Sequence, residues 1–399
     1  MTMDHGRVRR ELVVSVGIVA FIAIAIIKPW GGGSGISSGQ PATAGPSNGA
    51  LVTIVPTRPP VPTAGRIVET IPIAGYPDGP TEAPGGLWYL GGQSDLTLVD
   101  TATAESTKIT IDETRFPRPI SMTADGSDLW LTGSADSSLA RLHPATGAIV
   151  DRIPVSVAAP YVVDDVFEIT RDAGTLWAVG AIHTTEPVPI PSPVGSACCD
   201  VLAADVLLRA DIKTHQVDDV HQVDGAVAIA AGFGSIWVLE GPDRGEGGFF
   251  VVRLDPGTGV PVATMSLPDF DVGPTGCGPC VTGLRIGAGG VWTAIRPQGR
   301  VIRIDPAQNR IVDEIEVGLN VTDLAVGPDG SIWVVGATAP VGECPPSTGF
   351  LTRIDPGRNE VTGIVPVDCP VSVAVSQGDV WVGGYQDRAA VVQRVRPTP

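Results

Sequence analysis

The stretch Val281–Val317 reads VTGLRIGAGGVWTAIRPQGRVIRIDPAQNRIVDEIEV. Apolar and polar residues alternate in four short runs rich in β-branched side chains, and Gly, Pro and Asn punctuate the gaps. That pattern predicts four strands joined by tight turns: Val281–Gly287 (A), Gly290–Ile295 (B), Arg300–Asp305 (C) and Ile311–Val317 (D). Two parts of the stretch recur. The B run has counterparts in LWYLG at Trp88, LWLTG at Trp130, LWAVG at Trp177, IWVLEG at Trp237, IWVVG at Trp333 and VWVGG at Trp381. The C run, VIRIDP, returns as LARLHP ending at Pro144, VVRLDP at Pro256 and LTRIDP at Pro356. Seven of the eight tryptophans lie in these copies. They recur roughly every 48 residues, a spacing that suits four-stranded blades arranged in a ring. Seven copies predict an all-β, seven-bladed β-propeller over residues 66–399.

The last copy supplies only three strands: Val371–Val375, Asp379–Gly383 and Ala390–Val395. Before the first copy stands RIVETIPI, Arg66–Ile73, which resembles the D strands IVDRIPV (Ile149–Val155) and VTGIVPV (Val361–Val367). The N-terminal strand is therefore expected to complete blade 7 and to remove the open edge that an unclosed ring would present. Each tryptophan is expected to fill the space between neighbouring blades. Arg303 and Asp305 share a strand face, and Arg253/Asp255 and Arg353/Asp355 repeat the arrangement, so these read as structural ion pairs or turn satisfaction. The Asp-Pro-Gly-Thr-Gly run at Asp255–Gly259 and the Asp329-Gly330 pair carry turn chemistry.

The N-terminus has a different character. Arg7, Arg9 and Arg10 precede an uncharged run from Leu12 to Ile27, followed by Lys28, Pro29 and Trp30. Sixteen residues of helix span roughly 24 Å against a ~30 Å hydrocarbon core, and snorkelling at Lys28 and Trp30 closes the gap. The Arg cluster orients such a helix with its N-terminus inside. The expected layout is a cytoplasmic tail (1–10), a transmembrane signal anchor (11–30), a flexible Gly/Ser/Pro-rich linker (31–65) and the propeller (66–399) outside the cytoplasm. The alternative is a cleaved signal peptide and a secreted protein, although Ala42-Thr43-Ala44 lies far past the apolar run. The linker composition cannot bury enough apolar surface to order itself. A net charge of −17 argues against nucleic acid, whose phosphates need a basic surface.

Departures from the repeat point to function, because the scaffold does not require them. The long insertions are His183–Ala204, Glu240–Gly248, Pro268–Cys280 and Ala337–Gly349. All are B–C or D–A connections and so open on one face. The six cysteines lie in connections on that face as well: Cys198, Cys199, Cys277, Cys280, Cys344 and Cys369. Outside the cytoplasm they read as disulfides, with Cys344 and Cys369 in adjacent loops as the first pair and the other four open to three pairings. Cys277-Gly278-Pro279-Cys280 matches the thioredoxin sequence but lacks the following helix that would lower the thiol pKa; zinc ligation is a further alternative. The face carries Glu186, Asp200, Glu240, Asp243, Glu246, Asp269, Asp271 and Glu343 against Arg244, so it attracts cations.

The segments VGPDGSIWVVG (Val326–Gly336) and RIDPxxxxV resemble the streptogramin lyase-like and YVTN/NHL-type bacterial propeller repeats, over about residues 66–396. The resemblance implies the fold. In the lyases, Glu and His residues on one face serve a metal-dependent ring opening, on strands of Trp-Phe-Thr-Glu type. Here those strands read WLTG, WVLEG, WVVG and WVGG, and only Glu240 stands near such a position. His143 takes a turn position, His215 and His221 are expected in strand D of blade 3, and no His/Glu cluster is evident.

The leading expectation is a non-catalytic binding or sensing module at the bacterial envelope, engaging a protein, peptide or glycan through the loop face, with Glu186, Glu240, Asp243, Asp269, Asp271 and Glu343 as candidate contacts. The alternatives are a metal-dependent lyase or hydrolase and a structural envelope protein. No catalytic residue is assignable. No cofactor motif is present, and a divalent cation, Ca or Mg, is the one group the acidic loops would suit, without assignable ligands.

Overall fold

Short strands bounded by turn residues must find partners nearby in the chain. In the computed structural model they do so as seven four-stranded antiparallel sheets. The structure describes residues 61–398 except 92–94, 112–118, 125, 134–135, 158–160, 185–201, 224, 242–247, 269–280, 319 and 339–347. The propeller falls in the unit Pro59–Pro399. The anchor expected at 11–30 and the linker up to residue 60 lie outside the described residues. Among the described residues no helix is long and apolar enough to cross a membrane.

Blades 1 to 6 each use four consecutive strands, and their A strands are Asp78–Ala83, Pro119–Ala124, Tyr161–Asp172, Ala226–Gly232, Arg285–Gly287 and Val321–Val326. Blade 7 takes A, B and C from Pro370–Ser376, Asp379–Gln386 and Ala389–Pro397, and its D strand is Gly65–Pro72. The expected closure by the N-terminal strand is therefore present. Its register runs from Gly65 opposite Pro397 to Pro72 opposite Val391. The A strands touch their neighbours in a complete circle, blade 7 against blade 1 included. The chain just before the closing strand reaches blade 6 as well: Ile364 N–H donates to Pro62 O at 3.0 Å. Gly363 makes room for it, since a Cβ there would lie 2.6 Å from the Ala64 Cβ.

The core consists of seven apolar clusters, each holding one Trp. Trp237 of blade 4 packs with Leu284 and Val291 of blade 5, and Trp381 of blade 7 with Leu87 and Val99 of blade 1. All seven tryptophans are among the largest fully buried side chains. Indole N–H groups cap the A–B hairpins, as in Trp292 to Gly287 O at 2.9 Å and Trp237 to Gly232 O at 3.0 Å. Trp88 and Trp381 do the same, so in four blades one residue secures both seam and hairpin, whereas the buried Trp130 Nε1 has no partner among the described residues.

Three expectations need correction. Strand A of blade 5 is only Arg285–Gly287, with Val281 in an isolated bridge to Ile295. There the Thr282 hydroxyl takes a ladder position, accepting from Ala294 N–H at 2.9 Å. His215 sits in the turn before strand D of blade 3 with φ 56, whereas His221 is in the strand. Of the two readings of the Arg/Asp repeats, turn satisfaction holds for Asp255, Asp305 and Asp355, and the ion pairs at i, i+2 do not form. Asp305 is consumed by its own turn, accepting from Ala307 and Gln308 N–H at 2.7 and 3.0 Å, and these backbone donors hold its carboxyl below the usual range. Arg303 instead lies over Trp292, 5.1 Å from the ring centroid, and crosses the seam to Pro356 O and Asn359 Oδ1, both at 2.6 Å.

Candidate functional site

The alternation of antiparallel strands sends B–C and D–A connections to one face and A–B and C–D turns to the other. The strand limits put the long connections, Thr184 to Leu202, Glu240 to Phe250, Ser266 to Arg285 and Ala337 to Gly349, on the first face. The opposite face has nothing longer than Asp100–Glu105 and Asp255–Val260. Glu240 ends strand B of blade 4 and so borders the long-loop face. Cys369 lies in the D–A connection between blades 6 and 7, with φ 31, and is disulfide-bonded. Glu186, Asp243, Asp269, Asp271, Glu343, Cys198, Cys199, Cys277, Cys280 and Cys344 lie outside the described residues.

The metal-dependent alternative calls for acidic residues in the central funnel, and the sequence reading did not name them. A central cavity of about 490 Å³ is lined by residues from the A strands of all seven blades. Side chains alternate along a strand, so a bulge decides which of them face the axis. Bulges interrupt the A–B ladder just before Ser121, Glu168, Ala228, Asp323 and Ser372. Each of these residues stands two positions ahead of the A-strand residue opposite its Trp, and together they form one tier of backbone positions on the long-loop side of the tryptophans, of which Ser121 and Glu168 line the cavity. Most of the tier is small. Glu168 of blade 3 and Asp323 of blade 6 are the two acids in it.

Asp323 is buried, and burial pushes its carboxyl up against the opposing pull of Arg285. Its Oδ1 accepts from Arg285 Nη2 at 2.7 Å and from Leu324 N–H at 2.8 Å, and its Oδ2 accepts from Val373 N–H at 3.0 Å. That set satisfies the carboxylate, as a buried charge requires. Glu168 has less support. It accepts one hydrogen bond from Ser121 Oγ at 3.3 Å. Burial pushes its carboxyl up to about 7, with the Arg285 charge pulling down and Asp78 and Asp323 pushing further up. Arg296, just beyond strand B of blade 5, donates from Nε to Val321 O at 3.1 Å. Burial lowers its pKa against the pull of Asp323 and Asp78. Asp78 opens strand A of blade 1. Asp78, Glu168 and Arg285 thus line the cavity on its long-loop side, and Asp323 and Arg296 act on the group electrostatically from beside it.

This arrangement suits polar recognition at the end of a narrow shaft. It does not supply a metal cage: among the described residues no three His, Cys, Asp or Glu side chains converge. A signal for the tier existed in the sequence. Nine residues ahead of Trp130, Trp177 and Trp381 stand Ser121, Glu168 and Ser372. Ten ahead of Trp333, whose hairpin is a residue longer, stands Asp323.

No family model matches the chain, and no curated protein matches it. Among solved structures 931 chains match. One comes from a structure described as the crystal structure of the mitotic checkpoint complex; it aligns over 86% of this chain and 94% of its own length, with a TM-score of 0.56 and 11% identity. Identity that low shows the fold alone. What is shown is a closed seven-bladed β-propeller; the likeness to streptogramin lyase-like repeats rests on the sequence motifs.

Proposed function

We propose that this chain is a membrane-tethered, extracytoplasmic binding propeller that captures a protein or peptide on its long-loop face. One observation carries the reading: Asp78, Glu168 and Arg285 line the central cavity on the side of the four long connections. Loops around a rigid ring present variable contacts, and a charged shaft at their centre gives a polar group a defined place. Among the residues that line the cavity Asp78, Glu82 and the partly ionised Glu168 outnumber Arg285. The net field, reinforced by the acidic loops, favours a cationic group such as a lysine or arginine of the partner. The chain enters the ring at Gly65, opposite Pro397, so the attachment point is on the other side from the long loops. The extracytoplasmic site rests on the N-terminal apolar run, and the pairing of Cys344 with Cys369 on loop adjacency.

The test is capture of partners by the full chain carrying Glu168→Lys, and separately Asp269→Asn with Asp271→Asn. The reading expects at least about tenfold weaker capture, the scale of one lost charge-assisted contact, with a cooperative unfolding transition retained. Capture unaffected by all three replacements would refute it. The metal-dependent lyase reading has no comparable support, since the described residues do not assemble a ligand set.

A further inference from the structure

The Arg of strand C reaches the C–D turn of the next blade at three consecutive seams. Arg209 Nη1 donates to Gly257 O of blade 4 at 2.7 Å. Arg253 Nη1 donates to Pro306 O and Asn309 Oδ1 of blade 5 at 2.6 and 2.9 Å. Arg303 does the same with Pro356 O and Asn359 Oδ1 of blade 6. Each guanidinium lies over the Trp of its own blade, 5.9, 5.2 and 5.1 Å from the ring centroid, and grips the C–D turn of the next blade. The acceptors are a turn carbonyl and, twice, the amide oxygen of an Asn held at positive φ.

Blade 7 has no such turn. Its outer strand comes from the other end of the chain, so nothing joins its C strand to its D strand. Arg353 of blade 6 lies over Trp333 as its equivalents do, at 5.6 Å. Where the turn would be, its Nη1 meets only Thr398 O at 3.1 Å, and its Nη2 turns back to Asp329 Oδ2 at 2.9 Å. Ala64 covers the outer part of the seam, against Gly363. The inner part is open: a groove of about 480 Å³ lined by Trp333, Arg353, Arg394, Arg396, Asp329 and Asp379 among others. Asp379 is taken by Arg394 at 2.6 Å. Arg396, with its side chain 54% exposed, holds Asp379 only by two 3.3 Å bonds.

We propose that this groove, on the short-turn face between blades 6 and 7, binds a peptide turn of a partner protein that presents a backbone carbonyl beside an Asn or Asp side chain. The chain itself displays that ligand in two of its other grooves, with the same Arg-over-Trp receptor. Three arginines against two carboxylates favour an acceptor-rich turn, and an Asp in it would draw Arg396 from its long bonds. The site lies on the opposite face from the channel mouth and does not depend on that face's function.

The probe is a cyclised peptide of the chain's own turn, Ile354–Glu360, labelled and titrated by fluorescence anisotropy against the full chain in detergent. Saturable binding is expected. It should weaken about tenfold or more, the loss of one hydrogen bond to a charged group, when Ala replaces the Asn of the peptide. Arg396→Ala should weaken it as well while leaving melting unchanged, and Arg353→Gln should do so if that variant folds. No saturable binding at millimolar peptide, or binding indifferent to Arg396→Ala, would overturn the proposal. So would self-association of the full chain in ultracentrifugation that Arg396→Ala abolishes, because the occupant would then be a second copy.

Discussion

Ile71→Ala is the sharpest probe of ring closure. The closing strand Gly65–Pro72 buries only two of its eight residues, Gly65 and Ile71. Ile71 is 5% exposed and packs with Leu87, Tyr89 and Val99 of blade 1 and with Trp381 and Val392 of blade 7. It therefore joins the first blade to the last. Truncation removes three carbons at about 0.8 kcal/mol each, and the cavity left behind raises the cost to about 3 kcal/mol, within the range of roughly 2–5 kcal/mol for such changes. Val68 on the same strand is 36% exposed, and Val68→Ala should cost less than about 1 kcal/mol. Urea unfolding followed by tryptophan fluorescence reads both, with Trp381 reporting from inside the affected cluster. Equal midpoints for the two variants would mean that the N-terminal strand does not seal the ring.

Three further outcomes are expected. Glu168 has a folded pKa raised from 4.5 to about 7, so the folded state keeps this proton longer than the unfolded chain. Its contribution to stability falls as pH rises between those values, by at most about 1.4 kcal/mol per pH unit; Glu168→Gln should remove that slope and stabilise the protein above pH 7, and parallel profiles would contradict it. Asp323→Asn removes the charged partner of the partly exposed Arg285 and should cost about 1–3 kcal/mol, partly restored by Arg285→Met in the same chain; a loss under about 0.5 kcal/mol would show the pair to be inconsequential. Non-reducing peptide mapping should join Cys369 to Cys344, a bridge worth about 3 kcal/mol in the chain-entropy picture, and attachment to any other cysteine would refute the pairing.

The fold was legible because one residue type marks each seam. Trp has the bulk to fill the space between two blades, so its recurrence counted the blades. The unpaired third strand of the last copy and RIVETIPI then identified the closure. The acceptors of the arginines were not legible, because strand spacing reports which residues share a face and not which neighbour is nearer. Asp305 is claimed by the amides of its own turn, and Arg303 finds its acceptors 53 and 56 residues away. The channel tier was overlooked for a related reason. A bulge in strand A shifts the alternation, so counting by twos from the Trp partner places Glu168 and Asp323 only once the register is known. Of the six acidic residues singled out from the sequence, Glu240 is the one within the described residues, at the rim of the long-loop face.

The central claim is that ligands meet the long-loop face. A photo-crosslinking side chain placed at Thr338, exposed beside the end of strand B in blade 6, samples that face; one at Ala145, exposed in the C–D turn of blade 2, samples the other side, away from the groove between blades 6 and 7. With the full chain expressed in intact cells, the account predicts a partner adduct from Thr338 and none from Ala145. An adduct from Ala145 alone, or none from either position, would contradict it.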